Sequence, residues 1–182
     1  METTTLKNQI ATPFETQDYL GNNISLADYK GKKVLLTFFR YASCPFCNMR
    51  MQLLIRNTEK LKNAGVEVLV LFASSSNQIK KYAGKQNPPF PILPDPNRKI
   101  YKDYMINSSA MGMLKTMGNM KVMMKMMASG FFSFDSLPRE ALLPADFLID
   151  ENQVIADSFF GTDFSEHMDI EKILTWGKAE NA

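Results

Sequence analysis

Blocks of apolar and polar positions along the chain predict strands and helices in alternation. A continuous apolar run at 34–39 is typical of a buried strand, and residues 45–64 then switch to helical spacing that ends before Gly65. A second apolar run follows at 66–72. A strand, a helix and a strand in this order predict a parallel pair joined by a right-handed crossover.

Apolar runs in the last third of the chain predict two strands that pair antiparallel rather than parallel. The runs "ADFLID" and "QVIADSFF" are separated by the turn residues Glu151 and Asn152, which favours an antiparallel hairpin. A final helix is expected from about His167 to Gly177. Residues 1–182 are therefore predicted to form a single α/β domain, with a mixed central sheet flanked by helices.

The segment at about 107–135 does not fit this alternation. It holds most of the chain's thirteen methionines, and Gly112, Gly118 and Gly130 argue against one long amphipathic helix. Because methionine fills gaps in cores, the simplest interpretation is a short helical insert packed over the core. An adaptable docking surface and a membrane-surface helix are the alternatives. Its place in the sequence predicts that the insert lies beside the 45–64 helix.

Composition and charge narrow the class of protein. The formal net charge is +2, and acidic and basic residues are interspersed, so no face suited to nucleic acid is indicated. No signal-peptide pattern opens the sequence and no apolar run reaches the length of a membrane span. We therefore expect a soluble, cytoplasmic protein, in which a close cysteine pair is more often redox-active, catalytic or metal-binding than a structural disulfide.

The only two cysteines, Cys44 and Cys47, lie in a C-P-F-C quartet where the first strand meets its helix. The unpaired N–H groups and the dipole of a helix start stabilise a thiolate, and the cysteine pKa in such motifs falls from ~8.5 to ~3.5–7.5. Pro45 suits the first helical position. We expect Cys44 at the exposed lip as nucleophile and Cys47 one turn behind it as resolving thiol.

Two other interpretations of the pair stay open. A zinc half-site would need two more ligands, and since the chain has one histidine, His167, only carboxylates or a second chain could complete it. Two inert buried cysteines would act as small apolar residues. We expect His167 to be a surface or helix-capping residue rather than a general base, and we expect no metal and no other cofactor.

Three stretches resemble a known family. "NNISLADYKGKKVLLTFFRYASCPFC", "FPILPDPNRKIYKDYMI" and "LPADFLIDENQVI" are similar to the redoxin branch of the thioredoxin-like superfamily, specifically the alkyl hydroperoxide reductase/thiol-specific antioxidant (AhpC/TSA) family and its peroxiredoxin-like relatives. The C-P-F-C quartet is similar to that of glutaredoxins. The resemblance implies a thioredoxin-like fold and antioxidant or disulfide-exchange chemistry. It also implies a thiol donor such as thioredoxin, glutaredoxin or glutathione, and an oxidised protein, small disulfide or hydroperoxide as substrate.

One departure from the resemblance concerns the residues before the cysteines. Typical peroxiredoxins place a proline seven residues, and a threonine or serine three residues, before the cysteine that reacts with peroxide. Counted from Cys47, these positions hold Arg40 and Cys44. Counted from Cys44, they hold Thr37 and Tyr41. Neither register fits, which weighs against an efficient peroxidase.

A second departure concerns an arginine that peroxiredoxins carry before a later strand. Its position here holds Pro144, which instead resembles the cis-proline that borders the substrate and the redox cysteines in thioredoxins. Arg40 or Arg139 could supply the missing charge and stabilise the thiolate. The combined prediction is a thiol–disulfide oxidoreductase with Cys44 as nucleophile. A thiol-dependent peroxidase is the alternative, and a non-catalytic redox-sensing module that binds through the Met-rich segment is the third hypothesis.

Overall fold

The computed structural model describes residues 6–106, 108–132 and 141–179, and its centre is a mixed five-stranded sheet. The sheet consists of β3 (Lys33–Phe39), β4 (Val66–Phe72), β5 (Ile92–Pro94), β6 (Ala145–Ile149) and β7 (Ile155–Phe160). Their spatial order is β5-β4-β3-β6-β7. A separate antiparallel hairpin is formed by β1 (Glu15–Gln17) and β2 (Asn23–Ser25).

Helices connect these strands and cover the sheet. They are α1 (Pro45–Arg56), α2 (Thr58–Asn63), α3 (Ser76–Lys81), α4 (Lys99–Asp103), α5 (Ala110–Gly118), α6 (Met120–Ala128) and α7 (Ile170–Lys178), with short 3-10 turns at Leu26–Tyr29 and Ala83–Gln86. β3 pairs in parallel with β4 across the α1–α2 crossover, whereas β6 and β7 pair as an antiparallel hairpin. Both predicted pairings are confirmed.

The central strand β3 explains the unbroken apolar run of the sequence. Every residue of β3 is buried, because the strand lies between β4 and β6 and both faces of the sheet are covered. Leu35 and Phe39 point into one apolar cluster together with α1, while Leu36 and Phe38 point into a second cluster that includes Tyr101 of α4. The carboxyl end of β3 therefore delivers the chain to the cysteine pair at a rigid edge.

Two helix boundaries differ from the sequence prediction. The helix expected over 45–64 is interrupted at Asn57, whose backbone departs from helical geometry (φ −102°, ψ 8°) and whose side chain donates to the Leu53 carbonyl. The last helix begins at Ile170 rather than His167, because the Asp169 side chain accepts the Glu171 N–H and caps the helix. Gly65 ends the crossover at φ +73°, as its position predicts.

The Met-rich insert forms the two short helices α5 and α6. Met126 is buried, and Met113 and Met123 are half-buried against the same apolar cluster, so part of the insert fills the core as predicted. Gly112 lets α5 approach closely, since a Cβ there would lie 2.7 Å from Leu143 Cδ2. Residues 107 and 133–135 of the predicted insert lie outside the described part of the chain.

Candidate functional site

Cys44 stands at the N-cap of α1, and Pro45 occupies the first helical turn. The N–H groups of Phe46 and Cys47 help to lower the pKa of the Cys44 thiol, although neither makes a capping hydrogen bond of good geometry to the sulfur. The sequence explains this local arrangement, because backbone N–H groups in the first helical turn have no partner within the helix and proline has no N–H to leave unpaired. Both cysteines are free thiols.

Arg40, the residue after β3, approaches both sulfurs. Its Nη1 lies 3.4 Å from Cys44 Sγ, and its backbone N–H donates to Cys47 Sγ at 3.3 Å. The guanidinium is buried, donates from Nε to the Leu142 carbonyl at 2.7 Å and lies 3.3 Å from the centre of the Phe164 ring. These contacts fix a planar cation against the sulfur of Cys44.

The pKa values of the two thiols are shifted in opposite directions. Burial raises the pKa of Cys44, but the donating Cys47 thiol and then the Arg40 charge outweigh it, and the pKa falls to about 6. Burial and then the neighbouring Cys44 raise the pKa of Cys47 well above its usual range. The arrangement therefore provides one thiolate and one adjacent protonated thiol at neutral pH.

The expectation that Cys44 lies at an exposed lip is wrong. Its residue exposure is 3%, and that of Cys47 is 1%. Both belong to a buried cluster that also contains Met126 of α6 and Phe164 of the segment before α7. The Phe164 ring lies against the Arg40 guanidinium, which in turn contacts the Cys44 sulfur, so a segment distant in sequence helps to bury the thiol.

The predicted cis-proline is also wrong. No cis peptide bond occurs among the described residues, which include Leu143 and Pro144. With the trans bond, the Pro144 carbonyl accepts the Gly161 N–H at 2.9 Å, and the proline ring packs so closely that a Cβ on Gly161 would meet its Cγ at 2.9 Å. The backbone that borders the cysteine site is instead the Leu142 carbonyl, through Arg40.

His167 does not lie at the surface as expected. Its side chain is 5% exposed, and its Nδ1 lies 3.1 Å from Asp146, a fully buried carboxylate of β6. Asp146 also accepts from Thr37 Oγ1 and from the Met168 N–H. Burial raises the pKa of Asp146, but its interactions with His167, then the Arg50 charge and the Thr37 hydrogen bond, lower it to about 2. The sequence signal for this network was only an aspartate inside an apolar strand.

A second basic residue links α1 to this network. Arg50 donates to the Met168 carbonyl at 2.8 Å and is itself buried. A groove of about 990 Å³ lies alongside, between α1, α6 and residues 165–171, with Arg50, His167 and Lys125 in its lining. The Met-rich insert therefore lies beside α1, as its place in the sequence predicts.

The other expectations concern metals, the second arginine and membranes. No group of three or more His, Cys, Asp or Glu residues that could hold a metal ion occurs within 6–106, 108–132 and 141–179. Arg139 lies outside the described residues. No described helix is both long and apolar enough to cross a membrane.

Known proteins share this fold and parts of this sequence. The chain is 27% identical over 169 residues to peroxiredoxin Bcp of Escherichia coli K12, which covers 93% of each chain. It is 32% identical over 108 residues to chloroplastic peroxiredoxin Q of Sedum lineare, which covers 59% of this chain and 58% of that protein. The chain spans about half the length of the chloroplastic relatives that it matches.

The solved structures agree on the architecture. Peroxidoxin BcpB of Mycobacterium tuberculosis superposes with a TM-score of 0.69 over 97% of this chain and 98% of its own, at 14% identity. At this identity the match establishes the thioredoxin-like fold. The sequence model described as the AhpC/TSA family matches residues 8–158, which include β1 to β6, both cysteines and Arg40. The chain belongs to the AhpC/TSA family.

Proposed function

We propose that this chain is a thiol-dependent oxidoreductase that reduces hydroperoxides through Cys44 and Cys47. The observation that carries the proposal is the Cys44 sulfur, whose pKa of about 6 is maintained by an adjacent thiol and a guanidinium. A thiol with this pKa is mostly thiolate at neutral pH, which is the nucleophilic form. The relatives named as peroxiredoxins support a hydroperoxide as the oxidant.

The proposed reaction has three balanced steps. The Cys44 thiolate attacks a hydroperoxide oxygen and the O–O bond breaks, which leaves Cys44 as a sulfenic acid and, after uptake of a proton, an alcohol or water. The Cys47 thiol attacks the Cys44 sulfur, forms the disulfide and releases water. A thiol donor of the thioredoxin, glutaredoxin or glutathione type then reduces the disulfide and becomes oxidised itself.

Arg40 and Pro144 have different roles in this proposal. Arg40 stabilises the Cys44 thiolate before attack, and the Leu142 carbonyl orients the guanidinium. Pro144 is a positioning residue, because its ring packs on Gly161 and it lies two residues from Leu142, whose carbonyl accepts from Arg40. The high pKa of Cys47 keeps it protonated until the Cys44 sulfur has been oxidised.

A second candidate function is the reduction of disulfides. The observation that favours it is the C-P-F-C spacing, which holds the two sulfurs in contact. In this arrangement the first thiol can form a mixed disulfide with a substrate, and the second thiol can release the substrate again. Cys44 would attack one sulfur of the substrate and expel the other as a thiol. Cys47 would then attack Cys44, release the reduced substrate and leave the same Cys44–Cys47 disulfide.

The two reactions are separated by stopped-flow measurements on the single variants Cys44→Ser and Cys47→Ser. With hydrogen peroxide and an organic hydroperoxide, Cys47→Ser should form a sulfenic acid that dimedone traps, at a rate well above that of a free thiolate of matched pKa. Cys44→Ser should be inert. If Cys44→Ser reacts and Cys47→Ser does not, the assignment of the two sulfurs is reversed.

The same variants decide the second candidate. Two results together would favour a disulfide reductase over a peroxidase. The first is a rate with hydroperoxide no faster than that of an ordinary thiolate, and the second is a mixed disulfide that accumulates when the Cys47→Ser variant is treated with glutathione disulfide. If neither oxidant reacts faster with the protein than with a free thiolate, the catalytic proposal fails. The non-catalytic binding module would then be the hypothesis that is left.

A further inference from the structure

The outer side of the Met-rich insert is an unusual apolar surface. Six large side chains on α5 and α6 are between 57% and 76% exposed, and we call them the Met face: Met111, Leu114, Met117, Met120, Met124 and Met127. Phe132, 47% exposed, follows α6. Exposed apolar side chains scattered singly need no explanation, but these six all come from residues 111–127, and such a concentration is typical of an interaction site.

The two helices repeat one pattern of burial, which shows that the Met face is a consequence of how they sit on the protein. Thr116 of α5 and Met126 of α6, at equivalent positions, are both buried against the protein. The outward positions one residue later, Met117 and Met127, are both exposed. Each helix therefore has an inner side that is satisfied by the core and an outer side that no described residue covers.

Between residues 108 and 132 every charged side chain is basic. Residues 108–132 contain no aspartate or glutamate, and their three lysines are all exposed. Lys115 pairs with Glu166 at 3.3 Å, whereas Lys121 and Lys125 make no ion pair within the described residues. On α6 these two lysines follow Met120 and Met124 directly, so they border the exposed methionines on one flank. The surface thus combines free positive charge with apolar side chains.

We propose that the Met face binds an anionic phospholipid membrane and lies in its interface. Lysines attract the acidic headgroups, and the methionines with Phe132 enter the boundary of the acyl chains. The side chains of the Met face are all more than half exposed and none of them lines the groove beside α1, which suits a deformable lipid interface. A peptide helix would instead need a groove.

Binding in this orientation would bring the redox centre towards the lipid. Phe46 at the start of α1 and Val122 of α6 line the same groove, so the start of α1 lies on the same side of the protein as the insert. This inference is independent of the proposed function, because lipid binding does not depend on the state or the chemistry of the cysteines.

Vesicle flotation with the full chain tests the proposal. The reduced protein should float with phosphatidylcholine vesicles that contain phosphatidylglycerol and not with phosphatidylcholine alone, and high salt should release it. The double variant Lys121→Gln/Lys125→Gln should lose affinity by roughly fivefold per lysine. Lys60→Gln/Lys62→Gln, which removes the same charge from exposed positions on α2, should bind as the unchanged chain does.

The triple variant Met120→Ser/Met124→Ser/Met127→Ser tests the apolar contribution. Its affinity for the phosphatidylglycerol vesicles should fall by about tenfold or more, while its circular dichroism spectrum is retained. The lysine variant decides the matter if this triple variant does not fold. No flotation of the unchanged chain, or equal flotation of the α2 control and the Lys121/Lys125 variant, would overturn the proposal. Concentration-dependent self-association through the Met face, or binding of an acidic amphipathic peptide without binding of vesicles, would also overturn it.

Discussion

Replacing Arg40 with glutamine removes the positive charge beside the Cys44 sulfur and leaves an amide that can still donate to Leu142. In the structure the guanidinium is buried and lies 3.4 Å from Cys44 Sγ, so solvent screens its charge only weakly. We therefore expect Arg40→Gln to raise the pKa of Cys44. The protonated Cys47 thiol, which lowers the pKa more than Arg40 does, is unchanged and limits the rise.

The magnitude follows from the lowered pKa of Cys44. The fall from 9.0 to about 6 corresponds to roughly 4 kcal/mol of preference for the thiolate. An opposite charge at contact distance contributes about 1–3 pKa units, and since Cys47 contributes more, we expect Arg40→Gln to raise the pKa by about 1–2 units. The thiolate fraction of Cys44 at pH 7 should then fall from about nine-tenths to about half or less.

The assay is the pH dependence of alkylation by iodoacetamide, with the modified residue identified by peptide mass spectrometry. Arg40→Lys should keep most of the acidity, because it retains the charge, and Lys60→Gln on α2 should leave the midpoint unchanged. An Arg40→Gln midpoint equal to that of the unchanged chain would refute the electrostatic reasoning. Preferential alkylation of Cys47 at neutral pH would refute the order of the two pKa values.

Three further predictions concern stability. Gly112→Ala should lower the free energy of unfolding by about 1–3 kcal/mol, because its Cβ would meet Leu143 Cδ2 at 2.7 Å. Gly118→Ala on the same helix meets nothing within 4 Å and should raise that free energy by up to ~1 kcal/mol. Equal effects of the two variants in chemical unfolding would contradict the packing. The pKa of Asp146 is lowered from 3.8 to about 2, so its contribution of roughly 2 kcal/mol is complete above pH 3.8 and disappears as pH falls through about 2. Urea titrations across that window should show the loss, and Asp146→Asn should abolish this pH dependence. Removing the imidazole with His167→Ala should raise the pKa of Asp146, which a loss of stability at higher pH than in the unchanged chain would reveal.

The strands could be predicted closely because their signal is local. β4 coincides with the apolar run at 66–72, and β3 begins one residue before the run at 34–39. Both strands are buried on both faces, so nearly every position is apolar and the boundaries are sharp. The break at Asn57 was not predictable in this way, because asparagine is tolerated within helices and tertiary packing decides whether it ends one.

The position of the cysteine pair could also be predicted, but its burial could not. The C-P-F-C spacing and the strand-to-helix junction are local features of the sequence, and they place Cys44 at the N-cap of α1. Its burial involves the segment before α7, because Phe164 packs on the Arg40 guanidinium that contacts the Cys44 sulfur. The contact of Asp146 with His167 likewise joins residues of separate elements, and no periodicity in the sequence predicts it.

Arg40 and Pro144 show how a charge can change position within a family's fold. The resemblance predicts a proline where Arg40 stands, counted from Cys47, and an arginine where Pro144 stands, so the two residue types are exchanged. In the structure the cation reaches the sulfur from the end of β3, and the segment before β6 contributes the Leu142 carbonyl that orients it. Taken alone, the arginine at position 40 and the proline at position 144 each remove a part of the expected site. Taken together, they still place a guanidinium 3.4 Å from a cysteine sulfur. A comparison position by position therefore misses what the chain retains, because the thiolate responds to the distance and direction of the charge and not to the strand that carries it.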